Sequence, residues 1–99
     1  MRLVIRSQGF EVGPQLRGSI ERRLRFVLGR FGGQIGTVIV NLAERSSPEQ
    51  TEAKRCRIDV RLVRSYKCRV EETGTNLVDV VEQATHRVGQ VVGRSMNHL

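Results

Sequence analysis

The chain predicts an α+β fold: a two-layer β-α-β-β-β-α sandwich, a four-stranded mixed sheet with both helices on one face. Three observations lead there. Four stretches alternate apolar and polar residues with a period of two. Two others space their apolar residues at three and four, and each of the six stretches has a single apolar side. The chain has 99 residues and is 38% hydrophobic, enough for one core, so residues 1–99 are read as a single domain.

The elements follow in order. Leu3 and Ile5 alternate with Arg2, Val4 and Arg6, a short strand, and Gly9 and Gly13 punctuate the loop after it. Pro14 suits the first position of a helix, with Gly13 as its cap. Leu16, Ile20, Leu24, Val27, Leu28 and Phe31 then form one helical stripe, which Gly32-Gly33 ends. Thr37–Leu42 alternates with Val38, Val40 and Leu42 on one face. The polar stretch Glu44–Ala53, with Ser46-Ser47-Pro48, reads as a loop.

Residues 54–63 are the cleanest strand, with Cys56, Ile58, Val60 and Leu62 opposite Arg55, Arg57, Asp59 and Arg61. Tyr66, Cys68 and Val70 alternate against Lys67, Arg69 and Glu71, and Arg64-Ser65 joins these two strands as a hairpin. Asn76 caps a second helix with Asp79 at its third position; Leu77, Val81, Ala84, Val88, Val91 and Val92 make its stripe. The first two strands, joined through a helix, should pair in parallel with a right-handed crossover, and the later ones should be antiparallel. The other sheet face would then be open to water, with Arg2, Arg6, Arg57, Arg61, Lys67 and Arg69 on it.

The net charge is +7, and all of the 17 basic residues except Lys54 and Lys67 are arginine. The charge comes in blocks. Residues 1–33 hold seven arginines against Glu11 and Glu21, a net +5, and residues 54–71 hold seven Lys/Arg against Asp59 and Glu71, again +5. Residues 34–53 are −2 and residues 72–99 are −1. No run of about 18 apolar residues could span a membrane. The apolar patch at Leu3–Ile5 is too short for a signal peptide, so a cytoplasmic protein is expected.

Catalytic, metal and cofactor chemistry find little support. A hairpin turning at 63–65 sets Cys68 opposite Val60, four residues or roughly 13 Å along the strand from Cys56, too far for a disulfide. Neither cysteine has ligand spacing to His86 or His98. His86 falls on a polar helix face and His98 in a terminus expected to fray. Gly29–Gly36 lacks the Lys-Ser/Thr ending of a phosphate loop and follows a helix C-terminus, where the dipole repels anions. Ser46, Asp79 and His86 have nothing to bring them together as a triad. No catalytic residue, cofactor, metal or small-molecule substrate is expected.

The arginines carry the functional signal. At about 100° per residue the first helix points Arg22, Arg25 and Arg30 away from its stripe, Arg23 borders it, and Phe26 points out among them. The second helix turns Gln83, His86, Arg87, Gln90 and Arg94 outward. Such a face can be a solvated surface or a phosphate grip; the dominance of arginine and the scarcity of interleaved acids favour the grip. Only four of the 99 residues are aromatic, which argues against a sheet built to stack single-stranded bases.

With this element order, and with LRGSIERRL at 16–24, the strand pair GTVIVNL and CRIDVRL, and the second helix from Asn76, nearly the whole chain resembles the ribosome hibernation promoting factor family. That family includes the ribosome-associated inhibitor A (sigma-54 modulation) proteins, and the chain is similar to a divergent short form. The resemblance implies a fold like the double-stranded RNA-binding fold with an added first strand. It implies binding to rRNA of the small ribosomal subunit near the decoding region, with the mRNA and tRNA paths blocked and translation arrested under stress. Arg17 and Arg23 stand at the family's basic positions on the first helix, with Arg22, Arg25 and Arg30 beside them. Arg87 and Arg94 match on the second helix. Phe26 stands where the family usually has lysine, Gln90 and Gly93 where it has Arg or Lys, and Val78 where it has Tyr. Phe26 is thus the candidate for contact with a partner, and the alternative reading is a non-ribosomal protein- or RNA-interaction module on the same fold.

Overall fold

The computed structural model describes residues 1–47, 50–64 and 67–97, with the side chains of 45–47 and 50–52 excepted. The elements run β1 (Arg2–Gln8), α1 (Pro14–Leu28), β2 (Ile35–Ser47), β3 (Gln50–Leu62), β4 (Lys67–Gly74) and α2 (Leu77–Met96), with a 3-10 segment at Gly29–Gln34 between α1 and β2. Tyr66, expected in a strand, and His98, expected in a frayed end, lie outside the described residues, as do Pro48, Glu49 and Ser65.

The sheet has the order β1-β2-β3-β4. β1 and β2 pair in parallel, β2 with β3 and β3 with β4 antiparallel, the mixed sheet that the sequence predicts. The hairpin register is also the expected one: Val60 faces Cys68, and Ile58 faces Val70. One face therefore collects Ile5, Val38, Val40, Leu42, Cys56, Ile58, Val60, Leu62, Cys68 and Val70, all buried. α2 packs on β3 and β4, and α1 packs on α2. Ile20, Leu24 and Leu28 from α1 and Val80, Val81, Ala84, Val88 and Val92 from α2 close the core against that face.

Two boundaries differ from expectation. The stretch read as a loop is mostly strand: β2 runs on to Ser47, β3 begins at Gln50, and the two pair from Ala43–Arg55 out to Ser47–Gln50. The first α-helix ends at Leu28, and Phe31 joins the core edge from the 3-10 segment. Gly32, with φ 19° and ψ −101°, breaks the helical path there. The second helix begins as expected, with the Asn76 side chain accepting a hydrogen bond from the Asp79 backbone N–H at 3.2 Å. Thr85 is buried on this helix because its hydroxyl donates back to the Val81 and Glu82 carbonyls at 2.8 and 3.1 Å.

Cys56 and Cys68 are both buried free thiols. Burial, and secondarily the Glu72 carboxylate, pushes the Cys56 thiol from 9.0 up to about 12. The folded chain then keeps a proton that the unfolded chain releases. Its stabilising contribution is complete below the unperturbed value of 9.0 and is lost as pH climbs toward the folded value of about 12. Urea unfolding at pH 8 and pH 10.5 should show a smaller loss of stability for Cys56→Ala than for the wild type. Equal losses would mean that Cys56 does not titrate differently on unfolding.

Candidate nucleic-acid interface

Six of the seven arginines predicted to contact rRNA lie on α1 and α2, and Arg30 lies on the 3-10 segment between α1 and β2. α1 starts at Pro14 with no acid in its first turn, and Arg25 sits in its last turn, where a cation complements the helix dipole. Ile20, Leu24 and Leu28 commit the opposite side of the helix to the core, so Arg17, Arg22 and Arg25 are exposed. Arg94 holds the equivalent place in the last turn of α2. These four side chains have no acidic partner among the described residues.

The other three behave differently. Arg23 crosses to α2, where its Nη2 meets Glu82 Oε1 at 2.8 Å. Arg87 reaches back to β4, with Nη1 3.0 Å from Glu72 Oε1 and 3.5 Å from the Glu71 carbonyl. Few acids interleave the arginines along the sequence, but the fold supplies two from neighbouring elements. Arg30 lies over the Phe31 ring, 4.6 Å from its centroid. Its Nη2 also sits 3.0 Å from where a Cβ on Gly93 would be. Arg30 thus comes from the 3-10 segment to lie against α2 at Gly93.

Phe26 is 87% exposed, the most exposed of the large apolar side chains. It borders a shallow groove of about 350 Å³ between the helices, with Arg22 and Arg23 beside it and Glu82, Thr85 and His86 opposite. The two helices approach closely at Gly89, where a Cβ would lie 3.0 Å from Val27 Cβ. The helix layer therefore presents guanidinium groups of α1, the 3-10 segment and the end of α2 on one rigid surface. Such groups can grip phosphate oxygens bidentately, contacts that position a nucleic acid without reading its sequence.

Helical spacing placed Arg22, Arg25, Arg30, Arg87 and Arg94 outward, Arg23 at the border of its stripe, and Phe26 and His86 in solvent; their exposures agree, but Arg30 lies on the 3-10 segment and not on α1. Sequence reasoning did not anticipate the Arg23–Glu82 and Arg87–Glu72 pairs, whose partners are 59 and 15 residues apart. No signal of local spacing could have revealed them. Among the described residues no group of three or more His, Cys, Asp or Glu could hold a metal. A cavity of about 420 Å³ is walled by Gly33, Gln34, Leu62, Val63, Arg64 and Met96. No helix among the described residues is long and apolar enough to cross a membrane.

No family model matches the chain, and no curated protein matches it by sequence. Solved structures do. A ribosomal subunit interface protein from Coxiella burnetii superposes with a TM-score of 0.80 at 15% identity, covering 98% of this chain and 99% of that one. The N-terminal domain of Thermus thermophilus Protein Y superposes with a TM-score of 0.79 at 22% identity, covering 95% and 98%. Over nearly its whole length, then, the chain has the fold of these two proteins, the fold implied by its resemblance to the ribosome hibernation promoting factor family.

Proposed function

We propose that this protein is a ribosome-associated hibernation factor. In this reading it binds rRNA of the small ribosomal subunit through the arginine face of its helices and arrests translation by occupying the mRNA and tRNA paths. It is not an enzyme, and it works in the cytoplasm as part of a stress response. The observation that supports this most is the cluster of Arg17, Arg22, Arg25 and Arg94, exposed and without acidic partners, on a fold shared with a ribosomal subunit interface protein. Unrelieved like charge has a cost in the free protein, which a polyanion would remove. Arg23, Arg30 and Arg87 would join by turning from their internal partners to phosphate.

Purified small subunits offer the test. Saturating protein should displace tRNA and mRNA from them and should halt cell-free translation. Displacement of neither, at full occupancy of the subunit, would contradict occlusion.

The exposure of Phe26 favours a second reading, in which this face grips a protein or a different RNA. Phe26→Lys separates the two. At 87% exposure the ring holds nothing in the core, so the fold should be unaffected. On the ribosomal reading the variant binds small subunits more tightly and its log–log salt slope steepens by about one contact. A weakened subunit interaction would instead assign Phe26 to the contact itself.

A further inference from the structure

The face of the sheet opposite the helices is the second concentration of charge in the molecule. Cross-strand register lays it out in rows. One row is Arg2–Thr37–Arg61–Lys67 and another is Arg6–Asn41–Arg57–Glu71. They are four residues apart, roughly 13 Å along the strands. Between them runs Val4–Ile39–Asp59–Arg69. Counting Arg55 in the next row, this face carries seven cations against Asp59 and Glu71.

The acids do not neutralise it. Asp59 is shared by Arg57 at 3.5 Å and Arg69 at 2.5 Å, and Glu71 lies 3.6 Å from Arg55. Arg2, Arg6, Arg61 and Lys67 are exposed and have no acidic partner among the described residues. No element among the described residues covers this side, because both helices pack on the other. A second copy of the chain would bring like charge against like, so charge complementarity calls for an anion that extends along both rows. The described residues of the face include no aromatic ring on which unpaired bases could stack, the device that holds single strands. What remains is backbone contact with a rigid polyanion.

We propose that the open sheet face is a second nucleic-acid surface, which takes the phosphodiester backbone of double-helical RNA. The row of Arg2, Arg61 and Lys67 follows one strand of backbone and Arg6, with Arg57, reaches the other; Val4, Ile39 and the Asp59–Arg69 pair lie between them. The contact is indifferent to sequence. It lies on the opposite side of the sheet from the helix-face arginines, so one molecule can be held between two RNA segments. The inference does not rest on the ribosomal reading of the helix face.

Fluorescence anisotropy of a 20-base-pair RNA duplex with the full chain, between 50 and 200 mM salt, tests it. Three variants are compared with the wild type: a sheet variant (R2Q, R6Q, R61Q, K67Q), a helix variant (R22Q, R25Q, R94Q) and Asp59→Asn. The sheet variant should lose at least about tenfold in affinity at low salt and lower the log–log slope by roughly three. The helix variant should retain this sheet-dependent portion. Asp59→Asn, which releases two arginines, should bind more tightly than wild type, a gain that misfolding could not produce.

An unchanged slope in the sheet variant would overturn the proposal. So would RNA binding that is unaffected while the sheet variant loses a poly-glutamate probe, the mark of an acidic protein partner. A wild-type dimer dispersed by the sheet variant would overturn it in favour of a second copy. An unchanged helix variant would count only against the helix-face reading.

Discussion

Gly89→Leu should destabilise the protein by about 3 kcal/mol or more, the upper end for overpacking a core. The position lies where the helices approach each other closely. A Cβ there would be 3.0 Å from Val27 Cβ and 3.4 Å from the Val27 carbonyl oxygen. The remaining atoms of leucine would extend into the same space. A side chain can rotate away, but the backbone oxygen cannot, so α1 and α2 must part. A domain of this size has about 5–15 kcal/mol in total, and its Tm falls by about 4–8 °C per kcal/mol. The melting temperature should therefore drop by about 12 °C or more. Gly89→Ala is the control. Its gain of up to about 1 kcal/mol in helix propensity opposes one tight contact, so it should stay within about 1 kcal/mol of wild type. A Gly89→Leu protein that melts within a few degrees of wild type would show that the helices are not so closely apposed.

The combined variant Arg22→Glu, Arg25→Glu and Arg94→Glu should lose small-subunit affinity by a factor on the order of a thousand at low salt, taking each phosphate contact as about 1.4 kcal/mol. Its log–log salt slope should flatten by roughly two to three. Its melting temperature should hold, because the three side chains are exposed and make no ion pair among the described residues. Arg23 and Arg87 should matter less one at a time, since each must first leave a carboxylate at 2.8 or 3.0 Å. An affinity unchanged in the triple variant would remove the helix face from the binding surface.

The parts of the fold that could be read from sequence are those with one face buried and one wet. Residues 54–63 alternate because Cys56, Ile58, Val60 and Leu62 lie under the helices while Arg57 and Arg61 meet water. A one-residue slip would invert that pattern, so the register with Cys68 was determined as well. The outer part of the β2–β3 hairpin was misread for the converse reason. Beyond Leu42 and Cys56 the strands run into Glu44, Arg45, Ser46 and Ser47 on one side and Thr51 and Glu52 on the other. With few apolar residues to bury, the period of two disappears. Ladder pairing continues there, and Lys54 forms an ion pair with Glu44. The end of α1 was obscured because a 3-10 turn still delivers Phe31 to the core edge. At the candidate site, helical spacing located the exposed arginines but could not separate the free ones from those held by Glu82 and Glu72. That distinction depends on which elements the fold makes neighbours.

Co-sedimentation of the wild-type chain with purified small ribosomal subunits at 50 and 200 mM salt tests the central proposal most directly. Binding at the lower salt, weakened about a hundredfold or more at the higher as roughly five phosphate contacts exchange with counterions, is the predicted result. Absence of the protein from the subunit fraction at 50 mM salt would contradict it.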